Sequence, residues 1–247
     1  MTEPHRVTHS KPSIVGRESW QDARNELLAR EKAFTREGDA IAAARRRLPM
    51  TEVPNLSLMG PNGPKSLLDI FQGRDELIVY KHMWHFGMGI EFQCAGCTIS
   101  ISGLPDSVYL ERRGISFAVF AEGPWDEVAS FVDFMGYEHP WYSAFEIDDP
   151  AVGKTYGEIV CFLRDGDRIF LTNQIQDRGV EAIVPTFQLL NMSVYGRKER
   201  WEDSPNGWPQ DNPKMWYWIK DHRPTRQWTR PDATPVEAGW GDDIHHH

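Results

Sequence analysis

The strongest constraint on how this chain folds lies between residues 77 and 104. A compact apolar run, Leu77-Ile78-Val79-Tyr80, has the length and composition of a buried strand. After thirteen intervening residues comes Cys94-Ala95-Gly96-Cys97, and Ile99, Ile101 and Leu104 then space out along a helix. Two cysteines at this spacing serve both in zinc sites and in redox pairs. Between a buried strand and a helix the redox reading gains weight. Free N–H groups and the positive dipole end at a helix start favour a thiolate at Cys94, the species that attacks a disulfide or peroxide. Cys97, within the same turn, can then reach back and resolve a mixed disulfide.

The surrounding pattern predicts an α/β domain over residues 49–200. Asn62-Gly63 signals a turn, and Ser66 to Phe71 reads as a short helical turn. Ile115 to Phe120 is a second buried strand; Pro124 then opens a helix whose buried face is Val128, Phe131, Val132 and Met135. Ile159–Leu163 and Arg168–Thr172 flank Asp165-Gly166, a hairpin signal. Glu181 to Tyr195 reads as a last helix despite Pro185. Strands alternating with helices and ending in a hairpin imply a mixed sheet flanked by helices.

Two flanking segments differ in character. Residues 1–48 form an arm and a helical extension, Arg17–Leu48, as one helix or two joined at Gly38. Trp20, Leu27, Phe34, Ile41 and Leu48 recur every seven residues within it. One apolar residue per heptad is too narrow for a self-sufficient coiled coil, so the stripe is expected to dock on the body, or alternatively on a second subunit in a homodimer. Residues 201–247 are an irregular tail holding six of the ten tryptophans among six prolines. Its rings are read as pinning it over the core rather than forming a ligand shelf, with Trp216-Tyr217-Trp218 as a short helical turn. His245-His246-His247 resembles a purification-tag remnant and carries no functional weight.

Charge and composition narrow the function. The net charge of −9 divides as +3 over residues 1–48, −9 over 49–200 and −3 over 201–247. An acidic body repels phosphate backbones, so nucleic acid is not an expected partner. Arg45-Arg46-Arg47, the one basic cluster, reads as cations at a helix C-terminus. No apolar run approaches the roughly 20 residues that span a bilayer, and Met1 to Val15 lacks a secretory apolar stretch. Three cysteines make no disulfide framework, which suits a reducing compartment and a cytoplasmic location.

Several short motifs add a resemblance. Gly60-Pro61-Asn62-Gly63, Ser66-Leu67-Leu68-Asp69-Ile70-Phe71, Leu77-Ile78-Val79-Tyr80, Cys94-x-x-Cys97 and Phe162-Leu163-Arg164-Asp165-Gly166-Asp167 stand in this order. They are followed by Asp177-Arg178-Gly179, Tyr195-Gly196-Arg197-Lys198-Glu199 and Trp201-Glu202-Asp203-Ser204-Pro205. Together the pieces, over residues 17–210, resemble the DUF899 group of thioredoxin-like proteins. The resemblance implies a thioredoxin-like fold and dithiol–disulfide oxidoreductase activity. Two departures from ordinary thioredoxins stand out. The place of their cis-proline falls near Gly157, with no proline present, and the spacing from Tyr80 to Cys94 leans toward peroxiredoxin-like members. Their Thr-x-x-Cys signature is missing, since Ile90-Glu91-Phe92-Gln93 precede Cys94. Generic protein-disulfide reduction is therefore disfavoured.

A second constellation shares the loop: His82-x-x-His85 ahead of Cys94-x-x-Cys97. These two imidazoles and two thiols could close a tetrahedral zinc site or hold copper. Alternatively one imidazole holds Cys94 as thiolate, or both pack beside Trp84 and Phe86. Cys161, between Val160 and Phe162, reads as a small buried hydrophobe. Asp148-Asp149 read as turn residues. Arg164, Arg178 and Arg197 match the motif positions of the resemblance; salt bridging around the hairpin is their default, and Arg178 is a candidate border of the active cleft. The leading expectation is a redox protein in which Cys94 attacks, Cys97 resolves and no cofactor is required. Its partners are a small thiol, disulfide or peroxide and an external reductant. A zinc or copper protein using His82, His85, Cys94 and Cys97, or a non-catalytic dimer, are the alternatives.

Overall fold

The computed structural model describes residues 10–210 and the backbone of 219–220 and 223–224. The turn expected at Trp216–Trp218 and the terminal histidines lie outside the described residues. In chain order the elements are α1 (Arg17–Arg45), β1 (Thr51–Val53), β2 (Ser57–Gly60), β3 (Gly63–Ser66), α2 (Leu67–Ile70) and β4 (Glu76–His82). Next come α3 (Ala95–Gly103), α4 (Val108–Glu111), β5 (Ile115–Ala121), α5 (Trp125–Met135) and β6 (Trp141–Ser143). The hairpin β7 (Glu158–Asp165) and β8 (Arg168–Ile175), a 3-10 segment Asp177–Ile183 and α6 (Pro185–Met192) follow. A separate small hairpin, β9 (Ile219–Lys220) and β10 (Arg223–Pro224), brings β10 beside α3.

Eight strands form one mixed sheet in the order β1-β8-β7-β4-β5-β6-β2-β3. β4 and β5 are parallel, so the chain must cross over between them, and α3 and α4 make that crossing. β7 runs antiparallel to β4, and β8 antiparallel to β7. The core β8-β7-β4-β5, with the cysteine-bearing α3 as the next α-helix after β4, is thioredoxin-like.

Local chemistry explains the elements. Ser66 caps α2 by accepting the Asp69 N–H at 3.1 Å. α5 starts after Pro124 with Asp126 and Glu127 in its first turn. It ends at Gly136, whose φ of 62° allows Tyr137 N–H to bond back to Val132. Gly166, at φ 61°, makes the tight turn between β7 and β8.

Alternation along β4 sorts the core. Leu77 and Val79 join Phe120, Phe162, Leu67 and Phe71 on one face. Tyr80 and Ile78 join Phe117, Val119, Ile159 and residues of α3 and α5 on the other. Lys81 falls on the first face and His82 on the second.

Three expectations are corrected. The leading helix is a single helix ending at Arg45, and none of its residues is buried. Trp20, Leu27, Ile41 and Leu48 are exposed, and Phe34 is 80 % exposed, so the stripe does not dock on the body. A seven-residue repeat drifts around a straight helix by about 20° per heptad, and one side chain per repeat gives little to bury. Along its exposed surface Arg24 reaches Glu31, two turns on, at 2.8 Å. The last helix is also shorter than Glu181–Tyr195. Pro185 has no N–H and cannot continue a preceding turn, so the chain makes the 3-10 segment first and restarts with Pro185 in the first turn of α6. Finally, β4 runs on to His82, so that histidine belongs to the sheet rather than to the loop. Among the described residues no helix is long and apolar enough to cross a membrane.

Candidate active site

Cys94 is the N-cap residue of α3, and its sulfur accepts the backbone N–H of Cys97 at 3.4 Å. The Cys94 carbonyl takes the Thr98 N–H at 2.9 Å and the Thr98 hydroxyl at 2.8 Å, which fixes the first turn. The Cys97 thiol, then the backbone N–H groups of Cys97 and Gly96, hold the Cys94 pKa below the ordinary thiol range against the opposing effect of burial. Cys97 is pushed well above that range by the Cys94 sulfur and by burial; it is 2 % exposed, whereas Cys94 is half-buried. The two thiols are thus unequal, Cys94 the less buried residue and the more acidic, Cys97 the more buried and held protonated.

β4 supplies the floor. Tyr80 is buried, and its hydroxyl faces the Cys97 thiol and the Ser100 hydroxyl. Burial, and then the neighbouring Cys97, raise the tyrosine well above its usual value, so it stays a neutral phenol able to donate to a thiolate. The approach to Cys94 is fastened by Gln93, itself buried. Its side-chain carbonyl accepts the His85 N–H at 3.0 Å, and its amide donates to the His85 carbonyl at 3.1 Å.

A cavity of about 440 Å³ opens beside the pair, with Cys94, Cys97, Tyr80 and Gly157 on one side and Arg178, Glu181 and Arg197 on the other. Gly157, near the place expected from the resemblance for a thioredoxin's cis-proline, has φ 76°, and its N–H bonds the Lys81 carbonyl at 2.8 Å. Among the described residues no peptide bond is cis. Arg197 is 3 % exposed and grips Glu181 with both terminal nitrogens, at 2.7 and 2.6 Å, while Arg178 reaches the same carboxylate at 3.1 Å. Arg197 first, and Arg178 with it, lower the Glu181 pKa. Arg178 lies over the Trp201 ring at 4.1 Å and Arg197 over Phe187 at 4.5 Å. Glu181, Phe187 and Trp201 were not singled out from the sequence as site residues. The only signal was that Arg178, Arg197 and Trp201 sit in separate short motifs of one resemblance.

The histidines are placed differently from expectation. His82 is fully buried among the rings of Trp84, Phe131 and Trp141, with centroids 5.2–5.9 Å away. Its Nδ1–H donates to the Met83 carbonyl at 2.7 Å, and Nε2 is buried without a hydrogen-bond partner among the described residues. Burial pushes its pKa down to about 3, so the ring is neutral and cannot hold a thiolate by charge. Among the described residues no group of three or more His, Cys, Asp or Glu side chains gathers as a metal site requires. His82, His85, Cys94 and Cys97 therefore do not form the four-ligand set expected on the alternative reading. Spacing in sequence allowed it, but strand geometry turns His82 into the core. Cys161 is half-buried on β7, and burial raises it to about 11. Asp149 caps a turn by accepting the Ala151 N–H at 2.9 Å.

A dithiol at the start of the helix that follows β4, in this strand order, defines a thioredoxin-like protein with an asymmetric cysteine pair. The chain belongs to the DUF899 family, described as bacterial proteins of unknown function, whose model matches residues 9–223. No curated protein matches it. Solved structures similar to it include the peroxidoxin BcpB from Mycobacterium tuberculosis, with 16 % identity over 57 % of this chain and 96 % of that one, at a TM-score of 0.38. A secreted disulfide oxidoreductase of Mycobacterium tuberculosis, homologous to Escherichia coli DsbE, aligns over 53 % and 92 % at 12 % identity and TM-score 0.36. Peroxiredoxin 6 of Arenicola marina aligns over 68 % and 81 % at 13 % identity and TM-score 0.37.

Proposed function

We propose that this chain is a dithiol–disulfide oxidoreductase of a reducing, cytoplasmic compartment. The observation that carries the reading is the inequality of the two thiols, which border the same cavity: Cys94 half-buried at the helix cap, Cys97 almost wholly buried beside it. The Cys94 thiolate attacks one sulfur of a substrate disulfide, forming a mixed disulfide and expelling a thiolate that takes a proton from solvent. Cys97 loses its proton, attacks the Cys94 sulfur and releases the second substrate thiolate. Two electrons have then passed from the dithiol to the substrate, and an external dithiol reductant returns them by the reverse exchange. The sulfurs carry the electrons, so the cycle calls for no metal or organic cofactor. The phenol of Tyr80 supports the second step by donating to Cys97 as it ionises.

The test is a trapping experiment. With Cys97→Ser the mixed disulfide on Cys94 should accumulate and be seen as an added mass, and Cys94→Ser should abolish turnover. A Cys94→Ser protein that still turns over, or a parent protein whose thiols are both blocked by stoichiometric metal, would overturn the proposal.

A further inference from the structure

The cavity beside Cys94 carries ionic groups of both signs that the fold holds in place without pairing them. Its volume, about 440 Å³, is in the range of small-molecule sites. Arg197 is committed, with both terminal nitrogens on Glu181 and its Nε on Asn191 at 2.9 Å. Arg178 is not. Its Nε donates to Glu181 at 3.1 Å and its plane lies 4.1 Å over the Trp201 ring, two contacts that fix its position. Its two terminal nitrogens have no partner among the described residues, and the side chain is 61 % exposed. An anchored guanidinium with its outer edge free is a two-pronged receptor for a carboxylate. Asp177 and Glu199 line the same space and are in no ion pair among the described residues. Glu199 is held by the Trp201 indole N–H, which steadies the carboxylate and leaves its charge unmatched. These two groups can receive an ammonium. Met83, Ile99 and Val180 supply an apolar lining for carbon and sulfur. A single exposed ionic contact selects weakly, and a ligand of one sign satisfies only half of this wall. A ligand bearing both signs satisfies both halves and brings no net charge.

We propose that the cavity receives small disulfides of the amino-acid type, whose ends carry both a carboxylate and an ammonium group. This rests on the oxidoreductase reading and names its substrate class. The carboxylate of one end docks on the outer nitrogens of Arg178 and the ammonium on Asp177 or Glu199, while the sulfur meets Cys94. The Cys94 thiolate attacks R–S–S–R to give the Cys94–S–S–R mixed disulfide and R–S⁻, which is protonated by solvent. Cys97 loses its proton to solvent and displaces the second R–S⁻, leaving the protein disulfide for an external dithiol to reduce.

Single-turnover oxidation of the reduced full-length protein by four disulfides of matched size tests this. Cystine carries both groups at each end, cystamine the ammonium alone, dithiodipropionate the carboxylate alone, and hydroxyethyl disulfide neither. Each rate is divided by that of mercaptoethanol thiolate with the same probe, at low ionic strength so that charge effects are not screened. After this correction cystine should lead the two singly charged probes by about threefold and hydroxyethyl disulfide by about tenfold. Arg178→Gln should bring cystine down to the level of cystamine. Asp177→Asn combined with Glu199→Gln should bring it down to the level of dithiodipropionate. Asparagine suits the left-handed backbone at 177, where φ is 51°, and glutamine keeps an acceptor for the Trp201 indole. The two variants are independent, so if one fails to fold the other decides. Cystine no faster than the singly charged probes, or a lead that survives in a folded variant, would overturn the substrate class. Oxidation at the parent rate in Cys94→Ser would sink the redox reading itself, which is a separate failure.

Discussion

Lys81 and Glu158 meet at 2.6 Å with both side chains fully buried, on the face of the sheet opposite the cysteines. Lys81 also donates to the Pro150 carbonyl at 2.9 Å and to the Lys154 carbonyl. Glu158 accepts from the amides of Gln174 at 2.6 Å and Gln176 at 2.9 Å. The pair thereby ties β4, β7, β8 and the 150–154 loop together, and it stands directly beside Gly157 at the cavity wall. Removing one partner leaves a buried charge uncompensated. Lys81→Met should therefore cost about 3–5 kcal/mol in urea denaturation. A loss under about 1 kcal/mol would show that the pair contributes little.

The Cys94 titration should be visible in alkylation. Its rate should rise with pH around a midpoint below the ordinary thiol value, and Cys97→Ala should move that midpoint up by removing the side-chain hydrogen bond that is the largest cause of the shift. The sign for stability follows from linkage. Between its folded and unfolded pKa values the native thiol binds fewer protons than the unfolded one. Its contribution is therefore complete above the unfolded value and is lost as pH falls through the folded value. Iodoacetamide labelling of Cys97 or Cys161 ahead of Cys94 contradicts the assignment.

His82 predicts an acid liability. With its folded pKa pushed down to about 3, the unfolded state takes up a proton that the native state refuses between there and the ordinary histidine value near 6.5. Stability should fall by up to about 1.4 kcal/mol per pH unit across that window as pH drops. His82→Leu should flatten this slope and leave the Cys94 midpoint in place. Urea midpoints measured between pH 4 and 7 decide it; an unchanged slope in the variant removes His82 as the cause.

Tyr80→Phe deletes the hydroxyl that faces Cys97 while keeping the ring in the core. One net hydrogen bond of about 0.5–1.5 kcal/mol corresponds to a two- to tenfold slower resolution step. The first attack by Cys94 should be little changed, and stopped-flow traces should show the mixed disulfide lingering. A slower first step with normal resolution would place the tyrosine's effect elsewhere.

On α1, Phe34→Ala should change monomer stability by no more than about 0.5 kcal/mol, because the ring is exposed. Sedimentation of the parent and the variant distinguishes a bare helix from one that pairs with a second chain, in which case Phe34→Ala weakens the association.

The β4–cysteine–α3 unit was readable because local signals agree there: an apolar run, a spaced cysteine pair and a following helical pattern. The β7–β8 hairpin was readable for the same reason, since Asp165-Gly166 names its own turn. What escaped depends on partners distant in sequence. Lys81 and Glu158 look like strand-end charges until β4 pairs β7 and brings them together. Glu181 looks like an ordinary helix carboxylate until Arg197, sixteen positions away, folds back on it. His82 suggested a ligand because the apolar run seemed to stop at Tyr80, whereas two further residues of strand turn the ring into an aromatic cage. The heptad stripe on α1 misled in the opposite direction: periodicity reports a face, not whether anything covers it.

The deeper burial of Cys97 bears on the regiochemistry of the proposed cycle. Both sulfurs border one cavity, but Cys94 is half-buried and Cys97 is 2 % exposed. On that cycle an incoming thiolate meets Cys94 and expels Cys97. Delivery and recharging would then use the same doorway and the same covalent adduct in opposite directions, so that substrate and reductant compete for a single berth.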